Sequence, residues 1–470
     1  MSISGSRVLR DSPTGPTLTP VRSPNSPSSS PPTASDRRST RHDLLVVAVT
    51  VGVVVVAAFV GWELKRAGVD IFLPFPPLLA QWLPHVGPGS AFAVLIAVAV
   101  AAWGPGLAER LTWKPLLGLA WLTALGWTLA LALSDGYGKG FAGRLTSRDE
   151  YLTDVPRVTD IPAVLRDFTS HILTDHPGAW TTHVGAHPPG AFLLFVWLDR
   201  IGLGGGAAAS ALCVLVGSSA CAAVAVAVKA VACEAVARAV APFSVLFPGA
   251  VWVGVSADGL FAAVLAWGVA GLAWASTGRG RAVVAVGAGM LLGYCLYLSY
   301  GLALGGAVAL AVIAVTRKWR AVAFGVFGAA LVVAAFTAAG FWWLRGYELT
   351  KVLYAGSIAA SRPYWYFVWA NLAALAFAVG PAVIAGVRRV VVAPRLFGWG
   401  AVALVAAGLV AVLGADASGL SKAEVERIWL PFGVWLVVAC AWLPRAGVRW
   451  WLAAQAVLAL AVNHLLLTVW

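Results

Sequence analysis

The run LLVVAVTVGVVVVAAFVGW occupies residues 44–62 and contains no charged side chain. A helix needs about 20 consecutive apolar residues to cross the hydrocarbon core of a bilayer, so this run is long enough for one crossing. Its apolar residues are continuous rather than alternating, which excludes a strand of a membrane barrel. Residues 44–62 therefore predict a membrane-spanning α-helix.

The rest of the 470-residue chain has the same character. Hydrophobic residues make up 60% and charged residues 11%, with a mean hydropathy of +0.84. Soluble domains contain ~45–50% apolar and ~25% charged residues, so a chain made of several soluble domains is excluded. Roughly fourteen runs approach the length of a bilayer crossing: 44–62, 89–104, 115–134, 188–203, 205–228, 239–256, 259–276, 282–298, 301–316, 321–339, 365–387, 396–414, 428–444 and 450–469. The composition predicts an all-α polytopic membrane protein.

Residues 1–42 differ, because they are rich in Ser, Pro, Thr and Arg. Such a segment buries too little apolar area to fold, and basic residues flank the cytoplasmic ends of spans. We predict a disordered basic cytoplasmic tail. The net charge of +13 has the same explanation, and no basic motif with interleaved aromatics points to nucleic acid. The five cysteines show no CxxC spacing and predict neither a disulfide framework nor a zinc site.

Basic clusters predict which connections share a side of the cytoplasmic membrane. They place the C-terminus and four further parts of the chain outside: 135–187, Asp258, 340–364 and 415–427. This parity requires one run not to span, and 188–203 is the candidate, since it starts with Pro188-Pro189 and soon meets Asp199-Arg200. The result is about 13 transmembrane helices of about 20 residues each. Residues 282–316 are two spans or one long broken helix. The segments are the tail 1–42, two extra helices in 43–114 and a core of 115–470.

The external loop 135–187 holds seven of the 20 acidic residues and predicts a helix around Pro162–Thr174. A connection of this length is typical of function or disorder. Its stretch Arg148-Asp149-Glu150-Tyr151 offers paired carboxylates for a general base, with or without a divalent cation. A solvated charged turn is the alternative.

His183 and His187 are four residues apart and would share a metal ion on a helix. Gly185 and the Pro pair argue against a helix there, so we prefer polar contacts to a phosphate or a sugar. Three other outer positions are candidates, each with an ordinary turn or membrane anchor as its alternative: Asp258 between two apolar runs, Arg362 beside aromatic residues, and Glu424, Glu426 and Arg427 in the stretch 422–431 (KAEVERIWLP).

The order of these pieces resembles the GT-C superfamily of polytopic glycosyltransferases, especially the dolichyl-phosphate-mannose mannosyltransferase-like and aminoarabinose-transferase-like branch. The matching stretches cover roughly residues 115–440: Asp149-Glu150-Tyr151, His187-Pro188-Pro189, Pro248 through Asp258, and Arg427-Ile-Trp429-Leu430-Pro431. One departure is His187, where the family often has Lys.

The resemblance implies a GT-C-like bundle and inverting transfer of a sugar from a polyprenyl-phosphate donor to a glycan or lipid acceptor on the outer face. Asp149 would be the base, Glu150 its support or an ion ligand, and Asp258 would position the acceptor or a metal. His187, Arg362 and Arg427 would hold the donor phosphate. Tyr151, His183 and Glu426 are further substrate-binding candidates. No cofactor is implied with certainty, although a divalent cation is possible. There are two alternative functions. One is a transporter or flippase, whose signature would be ionisable residues at mid-membrane, and the predicted helices are nearly free of these. The other is a non-catalytic scaffold.

Overall fold

The structure, a computed structural model, describes residues 34–174, 178–278 and 282–469. Its α-helices are numbered in chain order: α1 Ala34–Arg66, α2 Ser90–Arg110, α3 Trp113–Ser134, α4 Ile161–Asp167, α5 Thr182–Gly185, α6 Pro189–Arg200, α7 Gly206–Ser218, α8 Ala220–Val231, α9 Glu234–Val245, α10 Ala250–Val253, α11 Ala257–Ala275, α12 Ala282–Leu298, α13 Gly306–Thr316, α14 Trp319–Ala338, α15 Trp343–Ala355, α16 Ile358–Ser361, α17 Tyr364–Val392, α18 Trp399–Ala417, α19 Val425–Ile428, α20 Leu430–Leu436 and α21 Val448–Leu465.

Shorter elements complete the fold. Two strands, β1 (Ala80–Trp82) and β2 (Leu466–Thr468), pair in antiparallel register. Tyr137–Ala142 form a π-helical turn, and 3-10 turns lie at Arg144–Thr146, Tyr151–Thr153, Val155–Arg157, Phe168–His171, Tyr300–Gly305, Pro394–Phe397, Val437–Trp442 and Arg445–Gly447. The chain divides into the units Met1–Arg41 and His42–Trp470. In the first, the described residues form only the start of α1, which begins inside the predicted tail; residues 1–33 lie outside the described residues.

Eight helices in the described ranges are long and apolar enough to cross a membrane. A ninth span is reached if the bent pair Leu430–Trp442 and Arg445–Leu465 counts as one. This agrees with the prediction of an all-α, multi-pass membrane protein. The pair α12 and α13 is shorter, and Ser299 separates α12 from the following 3-10 turn in an extended conformation. The number of about 13 crossings stays a prediction, since it needs such shorter segments to span as well.

The segment 188–203 was expected to be too short to span, and α6 has only 12 residues. At 1.5 Å per residue it is roughly 18 Å long, against a hydrocarbon core of about 30 Å. Both of its ends meet the loop 135–187: His187 precedes the helix, and the Arg200 guanidinium donates to the carbonyls of Val158 and Thr159 at 2.5 and 3.0 Å. The helix therefore starts and ends beside the same loop.

Small residues allow the long helices to pack backbone to backbone, as expected in lipid. At the crossing of α12 and α14, a Cβ added to Gly289 would lie 1.8 Å from the carbonyl oxygen of Gly325. Since no side chain fits there, glycine is required for this close approach.

Helix α17 is broken at Gly380, whose φ of 80° is not helical, just before Pro381. The break frees main-chain groups that must be satisfied inside the bundle. Buried Gln455 of α21 provides both partners: its Oε1 accepts from the Ala382 amide at 3.1 Å, and its Nε2 donates to the Val379 carbonyl at 2.9 Å.

The connections predicted to lie outside meet at one end of the bundle, which we call the loop end. There Arg144 donates to the Thr468 carbonyl, Arg362 to the Ile71 carbonyl, and Tyr354 to the Gly419 carbonyl. Clusters predicted to be cytoplasmic have partners of their own, since Arg388 and Arg389 both bind the fully buried Asp43. Each of these two groups of connections thus has contacts of its own, while their sides of the membrane stay a prediction. Pairing of β1 with β2 also ties the two extra N-terminal helices to the last helix of the core.

Candidate functional site

The described residues of the loop, 135–174 and 178–187, lie at the loop end, and the predicted helix at 162–174 is formed as α4 with a following 3-10 turn that ends at His171. Asp160 caps α4 by accepting from the Ala163 amide. Asp154 joins distant parts of the loop, because its Oδ2 accepts from the amide and hydroxyl of Thr181 while Oδ1 accepts from Arg157 at 2.6 Å. These contacts hold the described parts of the loop in a shape that can position side chains.

Arg427 is the centre of a buried ionic cluster that joins three parts of the chain. Its Nη1 donates to Oδ2 of Asp258, at the start of α11, at 2.7 Å, and its Nη2 donates to Oε2 of Glu424 at 2.7 Å. The same Nη2 lies 3.4 Å from Nε2 of His183, in the helical turn α5. Asp258 thus binds Arg427, and the cation that it positions in this structure is the guanidinium group.

Glu150 extends the cluster from the loop. Its Oε1 lies 3.2 Å from Nδ1 of His183. The His183 ring therefore lies between Glu150 and Arg427 and joins the loop to the arginine. Burial by itself would raise the pKa of Glu150, but His183 and Arg427 outweigh it and hold that pKa below its usual value. Glu150 is therefore ionised, and its carboxylate is held in its contact with His183.

The sequence argued against a helix at His183, and this was wrong for one turn: Thr182–Gly185 are helical, and the turn ends before His187. The two imidazole centroids are 6.2 Å apart. Nδ1 of His187 is 2.8 Å from the His183 carbonyl, which fixes the ring. Burial, aided by His183, lowers the pKa of His187 to about 4, so it is neutral at physiological pH. It offers a phosphate no positive charge, unlike the lysine of the GT-C pattern.

Tyr151 contacts both this cluster and Phe195, which lines a cavity. Its ring stacks on His183 on one side, with centroids 5.9 Å apart, and on Phe195 of α6 at 5.2 Å. A cavity of about 300 Å³ lies beyond Phe195, and its lining includes Thr146, Thr153, Asp199 and Gly204–Gly206. Apolar walls with a few hydroxyl and carboxylate groups are typical of a small-ligand site.

Asp149 is at the rim, with 52% of its side chain exposed. The Thr182 hydroxyl donates to its Oδ1 at 3.1 Å, and its own carbonyl accepts from the His183 amide. The main chain thus fixes Asp149 beside the buried cluster, while its carboxylate stays open to solvent. That arrangement suits a group that must meet an incoming molecule.

Glu426 and Arg362 are the remaining predicted residues beside this cluster. Both are buried. Arg362 donates to two carbonyls, of Ile71 at 3.1 Å and Lys422 at 2.6 Å, and its Nη1 lies 3.7 Å from Glu424. No described side chain donates a hydrogen bond to the Glu426 carboxylate. The predicted residues are thus brought together, with Asp149 at the edge.

Asn371 of α17 was missed from the sequence. Its amide nitrogen donates to Asp416 and to the Ser421 carbonyl, and its oxygen accepts from the Ala423 amide at 3.1 Å. It thereby anchors the segment before Glu424. Its signal was a lone polar residue within the apolar run 365–387.

Among the described residues, no group of three or more His, Cys, Asp or Glu side chains has a geometry that could hold a metal ion. Arg427 takes the position that a cation would occupy between Asp258 and Glu424. The chain matches no protein family model, and neither the curated proteins nor the solved structures contain a match.

Proposed function

We propose that this protein is a glycosyltransferase of the GT-C type, which transfers a sugar from a polyprenyl-phosphate donor to a glycan or lipid acceptor at the outer face of the cytoplasmic membrane. The observation that supports this most is the convergence of Glu150, His183, Asp258 and Arg427 in one buried cluster. These residues come from three distant parts of the chain, and the predicted outer loops meet around them.

The proposed chemistry is a single inverting displacement. The acceptor oxygen forms a bond to the anomeric carbon, the bond from that carbon to the phosphate oxygen breaks, and the acceptor proton passes to Asp149. A half-exposed carboxylate can reach an incoming hydroxyl, whereas Glu150 is bound to His183. Glu150 supports the base by fixing the imidazole that borders it.

The leaving phosphate gains a negative charge as the sugar departs, so fixed cations beside it favour the transition state. Arg427 and Arg362 are the cations proposed for this role, and guanidinium groups suit phosphate oxygens. Asp258 holds Arg427 in place at 2.7 Å. Asp149, Arg362 and Arg427 do not line the cavity of about 300 Å³ behind Phe195. It is therefore the proposed place for a part of the acceptor away from the reacting hydroxyl, packed on Leu152 and Leu198.

The proposed membrane arrangement has about 13 crossings of about 20 residues each, with the loop end outside and the N-terminus in the cytoplasm. The count of about 13 adds five crossings to the eight long helices. They are the shorter α12 and α13, the pair α9 and α10 as one, and the two halves of the bent pair, Leu430–Trp442 and Arg445–Leu465, as two. The separate partner networks of the loop end and of Asp43 support this sorting.

The decisive experiment is transfer of label from polyprenyl-phosphate sugars by membranes that contain the protein. We expect Asp149→Asn to lower the rate by about 10²–10⁴-fold, the usual contribution of a general base. Asp167→Asn is the matched control, since Asp167 is an exposed acid of the same loop. Full activity of Asp149→Asn would refute the assigned base. Movement of an intact lipid-linked sugar across vesicles without transfer would favour a flippase instead.

A further inference from the structure

Glu424 lies between two buried arginines. Its Oε2 accepts from Nη2 of Arg427 at 2.7 Å, and its Oε1 is 3.7 Å from Nη1 of Arg362. The arginines are 7% and 4% exposed, respectively. Burial would raise the pKa of Glu424, but Arg427 and Arg362 outweigh it and hold the pKa below its usual value. One ionised carboxylate therefore partly neutralises two cations that have little access to water.

Both arginines are also fixed by other partners. Asp258 binds Nη1 of Arg427 at 2.7 Å, and the carbonyls of Ile71 and Lys422 bind Nε and Nη1 of Arg362. Their positions thus do not depend on Glu424 alone. If Glu424 moved away, the two guanidinium groups would stay in place around a vacated anion position.

The backbone of Glu424 is strained. Ala423 and Glu424 have φ values of 73° and 62°, so two successive residues with side chains adopt the left-handed conformation. Each such residue costs about 1–2 kcal/mol. The flanks compensate, because Asn371 binds Ser421 and Ala423, and the Lys422 ammonium donates to the carbonyls of Ala360 and Arg362. The strain is thus concentrated at the residue that bridges the arginines.

We propose that Arg362 and Arg427 form a binding site for a phosphate group, and that Glu424 occupies this site until the phosphate displaces it. The exchange replaces one anion by another, so neither buried arginine is left without a counter-ion, which would be costly. A phosphate also offers more acceptor oxygens to the two guanidinium groups than one carboxylate does. The inference rests on the proposed function only for the identity of the phosphate carrier.

The test is the affinity of the purified full-length protein for inorganic phosphate and for farnesyl phosphate, measured by titration calorimetry in detergent. In the wild type, Glu424 competes with the ligand. If it fills the site nine-tenths of the time, its removal tightens binding about tenfold. We therefore expect Glu424→Gln to bind both ligands about tenfold more tightly than wild type does.

Asp258→Asn is the matched control, because it removes an acid at the same 2.7 Å from Arg427 but not from between the two arginines. We expect a clearly smaller gain, and the double variant Glu424→Gln, Arg362→Ala should lose the gain. The proposal is overturned if Glu424→Gln binds phosphate no more tightly than wild type, or if Asp258→Asn gains as much. Tighter phosphate binding in a protein without transferase activity would retain this inference and refute the proposed function.

Discussion

Replacement of Glu426 by Gln should stabilise the protein in neutral and basic solution. Glu426 is 1% exposed, and no described side chain donates to its carboxylate. Burial raises its pKa to about 7, and Glu424 adds to the rise, whereas Arg427 and the amides of Glu426 and Leu79 offset part of it. The charged form is thus disfavoured in the folded state, and glutamine removes that charge with little change of shape.

The sign and size follow from proton linkage. An ordinary Glu has a pKa of 4.5, against about 7 for Glu426 in the fold. Between these values the folded state keeps a proton that the unfolded state has lost, so stability falls as pH rises and levels off above pH 7. The difference of about 2.5 pKa units, at 1.36 kcal/mol each, corresponds to about 3 kcal/mol.

Thermal unfolding in detergent, followed by tryptophan fluorescence, measures this effect. We expect Glu426→Gln and wild type to unfold at similar temperatures at pH 4.5, and the variant to unfold at a higher temperature at pH 8. Glu348→Gln is the control, because the Glu348 side chain is 61% exposed and its replacement should give no pH-dependent gain. An equal offset of Glu426→Gln from wild type at both pH values would refute the reasoning.

Three further predictions concern packing and topology. Asp43→Ala leaves two arginines without their buried partner and should destabilise the protein by about 3–5 kcal/mol in unfolding assays; an unchanged unfolding temperature would contradict this. Gly289→Val should lower the unfolding temperature and folded yield, since its Cβ would meet Gly325 backbone at 1.8 Å. Gly287→Val is the control on the same helix, because a Cβ there has nothing within 4 Å. Cys233, the exposed one of five cysteines, lies between α8 and α9 on the proposed cytoplasmic side. It should therefore react with an impermeant maleimide only after cells are permeabilised, and labelling in intact cells would contradict the proposed topology.

Apolar runs are the part of the fold that sequence predicts well, because a membrane span is decided by the local content of apolar side chains. The limit of the run at 188–203 was also local, since Pro189 starts α6 and Arg200 ends it. Breaks of a helix within an apolar run were harder to predict from the sequence. The interruption at Gly380 depends on Gln455, which is 75 residues later in the chain, and only their proximity shows how the broken helix is satisfied.

The sequence predicted which residues belong to the candidate site, but it did not predict which of them contact each other. The acids of the loop, Asp258 and Arg427 were each visible as charges outside apolar runs. Their pairing was not, because Asp258 and Arg427 are 169 residues apart. Short patterns also misjudged local geometry: Gly185 argued against a helix, yet Thr182–Gly185 form a turn that the main-chain carbonyls of Thr181 and Thr182 close.

Two carboxylates among the described residues lie between pairs of arginines, and their differences separate a structural contact from an exchangeable one. Asp43 binds Arg388 and Arg389 at 2.6–2.7 Å from a regular helix. Glu424 makes one contact at 2.7 Å and another at 3.7 Å from a strained left-handed backbone. An ion cluster with two close contacts on unstrained backbone has no better state available, so its loss should weaken the fold. A strained and half-satisfied one loses less when another anion takes its place, so removing Glu424 should retain the fold and improve anion binding.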